Sequence, residues 1–182
     1  MVRQVAILGK AASVAFAPFD DDDWEIWSIP WMENRRVDRL FDIHTQKAWD
    51  DEGNPLEPGW EGAITDPVWC DPSRAHLFKN SVEYPFKDVA NSLPIAFLEC
   101  TISYQIALAL LEGVETIGLW GVHMMGRGEY AFQRPSVTYL VGLAQGRGVE
   151  VVIPDQSTLF QSNYRAGRYG VTGGLIFPPS KQ

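Results

Sequence analysis

A chain of 182 residues, 46% of them hydrophobic, suits one domain with one sizeable core. Its formal net charge of −8 argues against broad binding to nucleic acid or to acidic membrane surfaces, and no apolar run is long enough to span a bilayer. Cys70 and Cys100 are isolated and lack metal-ligand spacing, so they read as reduced thiols of a cytoplasmic protein; Met1 leads into a short strand without a secretory signal pattern.

The first element expected is a short buried strand over residues 4–8, followed by a loop of small residues from Gly9 to Phe19. Asp20-Asp21-Asp22-Asp23 reads as a solvated turn before a second strand at 24–29. As a metal site it is poor, because consecutive Asp side chains diverge. Alternation along that strand sends Trp24 and Trp27 to opposite faces. Residues 34–38 suit one helical turn before a third strand that ends at His44. Residues 50–75 are rich in Gly, Pro, Asp and Trp and read as loop, with one short strand near 67–70. That stretch suits a binding lid or a contact in a homo-oligomer; residues 76–94, punctuated by Pro85 and Pro94, are ambiguous and complete a loop-rich insertion over 50–94. The strongest helix pattern runs from about Ile95 to Glu112 and stops at Gly113. A buried strand follows at 115–120, then a helix from Pro135 to about Gly146, then a strand at 149–153. Alternating helices and strands with short connections predict a Rossmann-like three-layer α/β domain with a mostly parallel sheet over residues 1–162. Residues 163–182, rich in Gly, Tyr and Arg, read as an extended arm.

In an open parallel sheet, ligands bind beyond the carboxyl ends of the strands, where the strand order reverses. Here the strand ends deliver Gly9-Lys10-Ala11-Ala12-Ser13, Pro30-Trp31-Met32, His44 and Gly121-Val122-His123 to one rim. The first segment is either a phosphate cradle or an ordinary tight turn. A cradle would use backbone N–H groups from Gly9 onward, the Ser13 hydroxyl and the Lys10 charge, although the segment is neither a dinucleotide fingerprint nor a Walker A loop. Trp31 is the aromatic placed to stack on a base or another flat ligand. His44 and His123 suit acid–base catalysis, ligand orientation or simple packing.

Thr101 and Ser103 belong to an anion site if their helix begins at Thr101, and are structural mid-helix hydroxyls if it begins at Ile95. Between Gly121 and Pro135, Glu129 suits a base or a ribose-hydroxyl acceptor, and Tyr130 and Gln133 suit ligand contacts. Arg134 suits bidentate binding of phosphate or carboxylate; the alternative for the whole stretch is a polar loop that starts a helix. The chain has no nucleophile-elbow, zinc-protease or Cys/His zinc pattern, which argues against hydrolase chemistry of those types.

Two segments carry a resemblance. Val5-Ala6-Ile7-Leu8-Gly9-Lys10-Ala11-Ala12-Ser13 resembles the opening strand and loop of MptE-like pterin diphosphokinases and of Cst-type bacterial sialyltransferases. Thr101-Ile102-Ser103 through Leu108, followed by residues 113–123, resembles a later segment of the same Rossmann-like group. Ala12 stands where that group has Pro, and His123 where it has Asp; Thr101-Ile102-Ser103 replaces a serine pair. The whole chain also resembles small tailed-phage proteins that share the Trp-Glu-Ile-Trp strand and the Glu-Tyr…Gln-Arg-Pro stretch, which would place it in the host cytoplasm. The resemblance implies a nucleotide held between the two segments.

Together these readings predict a nucleotide or nucleotide-linked small molecule at the carboxyl rim, with no metal. The leading function is glycosyl or diphosphoryl transfer, with His44 or His123 as base and Glu129 as partner. A non-catalytic protein that sequesters a nucleotide-derived signal and a ligand-free oligomeric scaffold are the alternatives.

Overall fold

The computed structural model describes residues 3–30, 35–44, 48–49, 55–56, 66–125 and 128–160. In chain order its strands are β1 (Gln4–Leu8), β2 (Trp24–Ser28), β3 (Arg39–Asp42), β4 (Ala48–Trp49), β5 (Pro55–Leu56), β6 (Val68–Cys70), β7 (Ser81–Glu83), β8 (Thr116–Trp120) and β9 (Glu150–Val152). Its α-helices are α1 (Phe86–Ser92), α2 (Thr101–Leu111) and α3 (Glu129–Gly146). β4 and β5 pair antiparallel as a separate ribbon. The other strands form one sheet in the order β7, β6, β3, β2, β1, β8, β9, and every neighbouring pair in it is parallel.

β1 and β8 are apolar on both faces because both faces of the sheet are covered. The coverings differ. Val89 of α1, Ile106 of α2 and Leu140 of α3 all join the core built on Val5, Ile7, Trp27, Phe41 and Leu119. The opposite face carries Ala6, Leu8 and Ile26, packed under Val14, Ala17 and Phe19 from the β1–β2 connection. Further along the same face, Leu40, Val68 and Cys70 pack under Ala75, Leu77 and Phe78. Register keeps these residues on one side, with Ala6 beside Ile26, Ser28 beside Leu40, and Leu40 beside Val68. Right-handed crossovers explain the division. The chain steps from β1 to β7 in one direction across one face. It then returns to β8 and β9 across the other, so the long helices share that second face. Trp24 and Trp27 take opposite faces, as alternation predicts.

Two helix starts differ from expectation. α2 begins at Thr101, six residues after Ile95. Pro94 disfavours helix for the residue before it. Cys100 is fully extended, and the Ser103 hydroxyl closes a cap by accepting from Cys100 N–H at 3.1 Å. Once started, α2 buries Ile106 and Leu108, each worth about 1.5–3 kcal/mol. α3 begins at Glu129, so Pro135 sits inside it rather than at its start. Val137, Leu140, Val141 and Ala144 recur at helical spacing in the core, and their burial outweighs the hydrogen bond that Pro135 removes. Residues 35–38 make no helical turn; Asp38 instead accepts the Ile26 N–H at 2.7 Å. The acidic run is a turn whose Asp21 carbonyl and Asp22 carboxylate take the Arg36 guanidinium. Among the described residues, no helix is long and apolar enough to cross a membrane.

β1 continues towards β2 and β8 towards β9, so the strand order reverses between β1 and β8. There the backbones nearly touch. Gly9 N–H donates to the Trp120 carbonyl at 2.8 Å, and Ala11 N–H to the Gly121 carbonyl at 3.0 Å. A Cβ on Gly9 would overlap the Gly121 carbonyl, and one on Gly121 would overlap the Gly9 carbonyl. Gly121 also has φ +70, in the left-handed region. Gly121→Ala is expected to destabilise the fold by about 2–4 kcal/mol, from overpacking added to the backbone strain. Gly142→Ala, on α3 in open space, is expected to be neutral or slightly stabilising. Denaturant midpoints at unchanged slope provide the measurement.

Candidate functional site

A cavity of about 1080 Å³ opens at this reversal point, over the carboxyl ends of β1, β3 and β8. Gly9, Lys10 and Gly121 line it from the switch itself, and His44 and His123 from the ends of β3 and β8. Thr101 lines it from the first turn of α2, and Glu129, Tyr130 and Gln133 from the first turns of α3. Nine of the residues singled out in the sequence therefore share one cavity. Trp31 lies outside the described residues, as do residues 161–182.

The two histidines have different surroundings. His44 is 63% exposed, and its Nδ1 donates to Oδ1 of Asp42, whose side chain is 1% exposed. A carboxylate can only accept, so this bond places the proton of neutral His44 on Nδ1 and the lone pair on Nε2. The other Asp42 oxygen, Oδ2, accepts from Nε of Arg74 at 2.9 Å and pairs with Nη2 at 2.8 Å. Burial by itself would raise the Asp42 carboxyl. The His44 hydrogen bond and the His44 and Arg74 charges outweigh it and hold the group below the usual carboxylate range.

His123 instead has its Nε2 at 2.9 Å from the hydroxyl of Ser13. That hydroxyl, 1% exposed, accepts the Gly121 N–H at 2.9 Å, so its own proton is free to go to His123. Ser13 therefore lies beneath the cavity wall as a bolt between the β1 and β8 loops. It is buried and does not line the cavity. The β8 loop is held from a second side, where Ser157 Oγ donates to the Val122 carbonyl and Thr158 Oγ1 to the His123 carbonyl. Met124, next in the chain, is buried with φ +49, in the left-handed region that non-glycine residues rarely adopt.

The start of α2 brings Cys100, Thr101 and Ile102 to the cavity, where the first N–H groups of a helix have no partner within it. Ser103 is fully buried and spends its hydroxyl on the cap, donating to the Cys100 carbonyl at 2.6 Å. Burial raises the Cys100 thiol, and burial with the nearby Glu99 charge raises the Tyr104 phenol, so both stay protonated at neutral pH. Arg134 is held by its neighbours: its Nε donates to the Leu159 carbonyl at 2.6 Å and Nη1 lies near the sulfur of Met125, which lines the cavity. Arg134 thus anchors the segment after β9 to α3.

Asp42 and Arg74 were not singled out in the sequence. A carboxylate in the otherwise apolar Leu40-Phe41-Asp42-Ile43, two residues before a histidine on the same side of the chain, was the available signal. Arg74, 32 residues further on, carried none.

No protein-family model matches the chain, and no curated protein sequence matches it. Among solved structures it is similar to the sialyltransferase CstII from Campylobacter jejuni in complex with the substrate analogue cytidine-5′-monophosphate. Identity is 12% and the TM-score 0.48, over 94% of this chain and 86% of that one. The same sialyltransferase in complex with CMP-3FNeuAc gives 12% identity and a TM-score of 0.46, over 82% and 79%. A complex of CST-II with a trisaccharide acceptor and CMP gives 12% and 0.45, over 94% and 86%.

Because the folded Asp42 carboxyl sits below its ordinary value of 3.8, its contribution to stability is complete above that pH. It is lost as pH falls through the folded value. Asp42→Asn leaves the buried Arg74 cation facing a neutral amide and is expected to cost about 3 kcal/mol at neutral pH. The gap to the wild type should close below pH 3.8. Urea titrations across the acid range test this, and a gap that stays constant would mean that Asp42 is not an ionised partner.

Proposed function

We propose that this protein binds a nucleotide or nucleotide-linked small molecule in the rim cavity and transfers a glycosyl or diphosphoryl group from it, with His44 as general base. The carrying observation is the His44 ring, held by buried Asp42 in the wall of the same cavity as the start of α2. In this reading the acceptor O–H gives its proton to His44 Nε2. The acceptor oxygen's electron pair forms the new bond to the donor carbon or phosphorus, and the bond from that atom to the nucleotide phosphate breaks. The departing phosphate carries the electron pair and meets the N–H groups of α2 and the Lys10 charge.

The surroundings of the histidines support giving the base role to His44. His123 spends Nε2 on Ser13, which suits it to holding the switch loops at a fixed spacing. Glu129, exposed at the start of α3, is left as an acceptor for ligand hydroxyls rather than as the partner of a base. Lys10, Tyr130 and Gln133 complete the proposed ligand contacts.

The test is release of nucleoside mono- or diphosphate from a panel of nucleotide-sugar donors, and of nucleoside monophosphate from nucleoside triphosphates, beside calorimetry with the free nucleoside phosphates. His44→Gln is expected to lower kcat about 10²- to 10⁴-fold and to leave nucleotide affinity within about twofold. Wild-type turnover in His44→Gln would remove His44 as base. An intact nucleotide species released in equal amount on denaturation, with no donor consumed, would replace transfer by sequestration.

A further inference from the structure

We propose that Arg74 is the positioning residue of this site: by occupying Oδ2 of Asp42 with two donors, it commits Oδ1 to His44 and so sets which imidazole nitrogen faces the ligand. The proposal rests on the reading of His44 as base, but its chemistry stands on geometry alone. Arg74 lies on the 3₁₀ helix Pro72–Leu77 between β6 and β7, which Asp71 caps by accepting the Ser73 N–H at 2.9 Å. The helix therefore starts at a fixed point, and Arg74, 5% exposed, reaches under the sheet edge to Asp42. Its Nε and Nη2 fall on the same carboxylate oxygen. A planar fork with fixed N–H directions does this; a single ammonium does not.

The arrangement is costly if it serves stability alone. Two charged groups leave water, and packed apolar side chains of similar volume stabilise a fold as well or better. The pair lies directly behind an exposed imidazole in the wall of a large cavity. With Asp42 fixed, neutral His44 keeps its proton on Nδ1 and its lone pair on Nε2. With Asp42 free to turn, the ring loses that acceptor. It relaxes to the Nε2–H form that neutral imidazoles favour when nothing holds Nδ1, and the lone pair then points back at the sheet.

The experiment is imidazole ¹⁵N NMR on the full chain, labelled at histidine, in alkaline buffer where the rings are neutral. His44→Gln assigns the resonance among the three histidines. Wild type is expected to show His44 protonated at Nδ1. Arg74→Met should move it towards the Nε2–H form. Arg74→Lys, which keeps the charge and loses the fork, should fall between and carries the test if Arg74→Met does not fold. A His44 tautomer unchanged in the folded Arg74 variants would overturn the proposal and leave Arg74 a packing residue.

Turnover separates the two ideas. A shifted tautomer in Arg74→Lys, with kcat down about tenfold or more and nucleotide affinity kept, supports both. A shifted tautomer while His44→Gln retains full turnover supports the positioning role and removes the base assignment.

Discussion

The near-contact of two backbones at Gly9 and Gly121 governs the rest of this molecule. β1 and β8 are adjacent parallel strands whose chains leave in opposite directions, and a crevice must open between them. How wide it opens depends on how closely the two turns approach. Glycine at both positions lets each carbonyl sit where the other residue's Cβ would be. The Gly9-to-Trp120 and Ala11-to-Gly121 bonds then lock the approach, and Ser13 bolts it from below. Lys10 and His123 are thereby held at one rim.

The same constraint separates the roles of the two histidines. His123 belongs to the clamp because its ring nitrogen faces Ser13. His44 lies two strands away, where the sheet holds a buried carboxylate instead of a second turn. Both side chains line one cavity. Their neighbours, rather than their identity, distinguish them: the Ser13 hydroxyl for His123 and the Asp42 carboxylate for His44.

Charge is also distributed with respect to the sheet's polarity. At the amino ends of the strands, Arg39 lies between the rings of Trp27 and Trp69, 4.8 and 4.9 Å from their centroids. It pairs with Glu25 and Glu112, which Arg3 also joins. This network ties β1, β2 and β3 to the end of α2. Its members are partly exposed, so its effect is to fix the end of α2 more than to add stability. With its far end held there and its start capped by Ser103, α2 presents its first turn to the cavity at a set height.

Much of this was legible in the sequence, for reasons that are local. Strands 4–8, 24–28 and 116–120 are short apolar runs ended by Gly or polar residues, and local pattern suffices to place them within a residue or two. The gathering of Gly9, Lys10, His44, Gly121 and His123 at one rim follows from the polarity of a parallel sheet, which sends all carboxyl ends the same way. The starts of α2 and α3 were less legible, because a cap at Ser103 and a buried face after Pro135 override propensity. Tertiary packing alone decided that Ser13 turns inward, that Arg134 anchors Leu159, and that Arg74 reaches Asp42 across 32 residues. A side chain's partner depends on which strand the fold lays beside it, and strand order is not written in local periodicity. The sequence by itself determined which residues gather at the carboxyl rim, because sheet polarity sends all strand ends one way; the sheet order decided which of them meet one another.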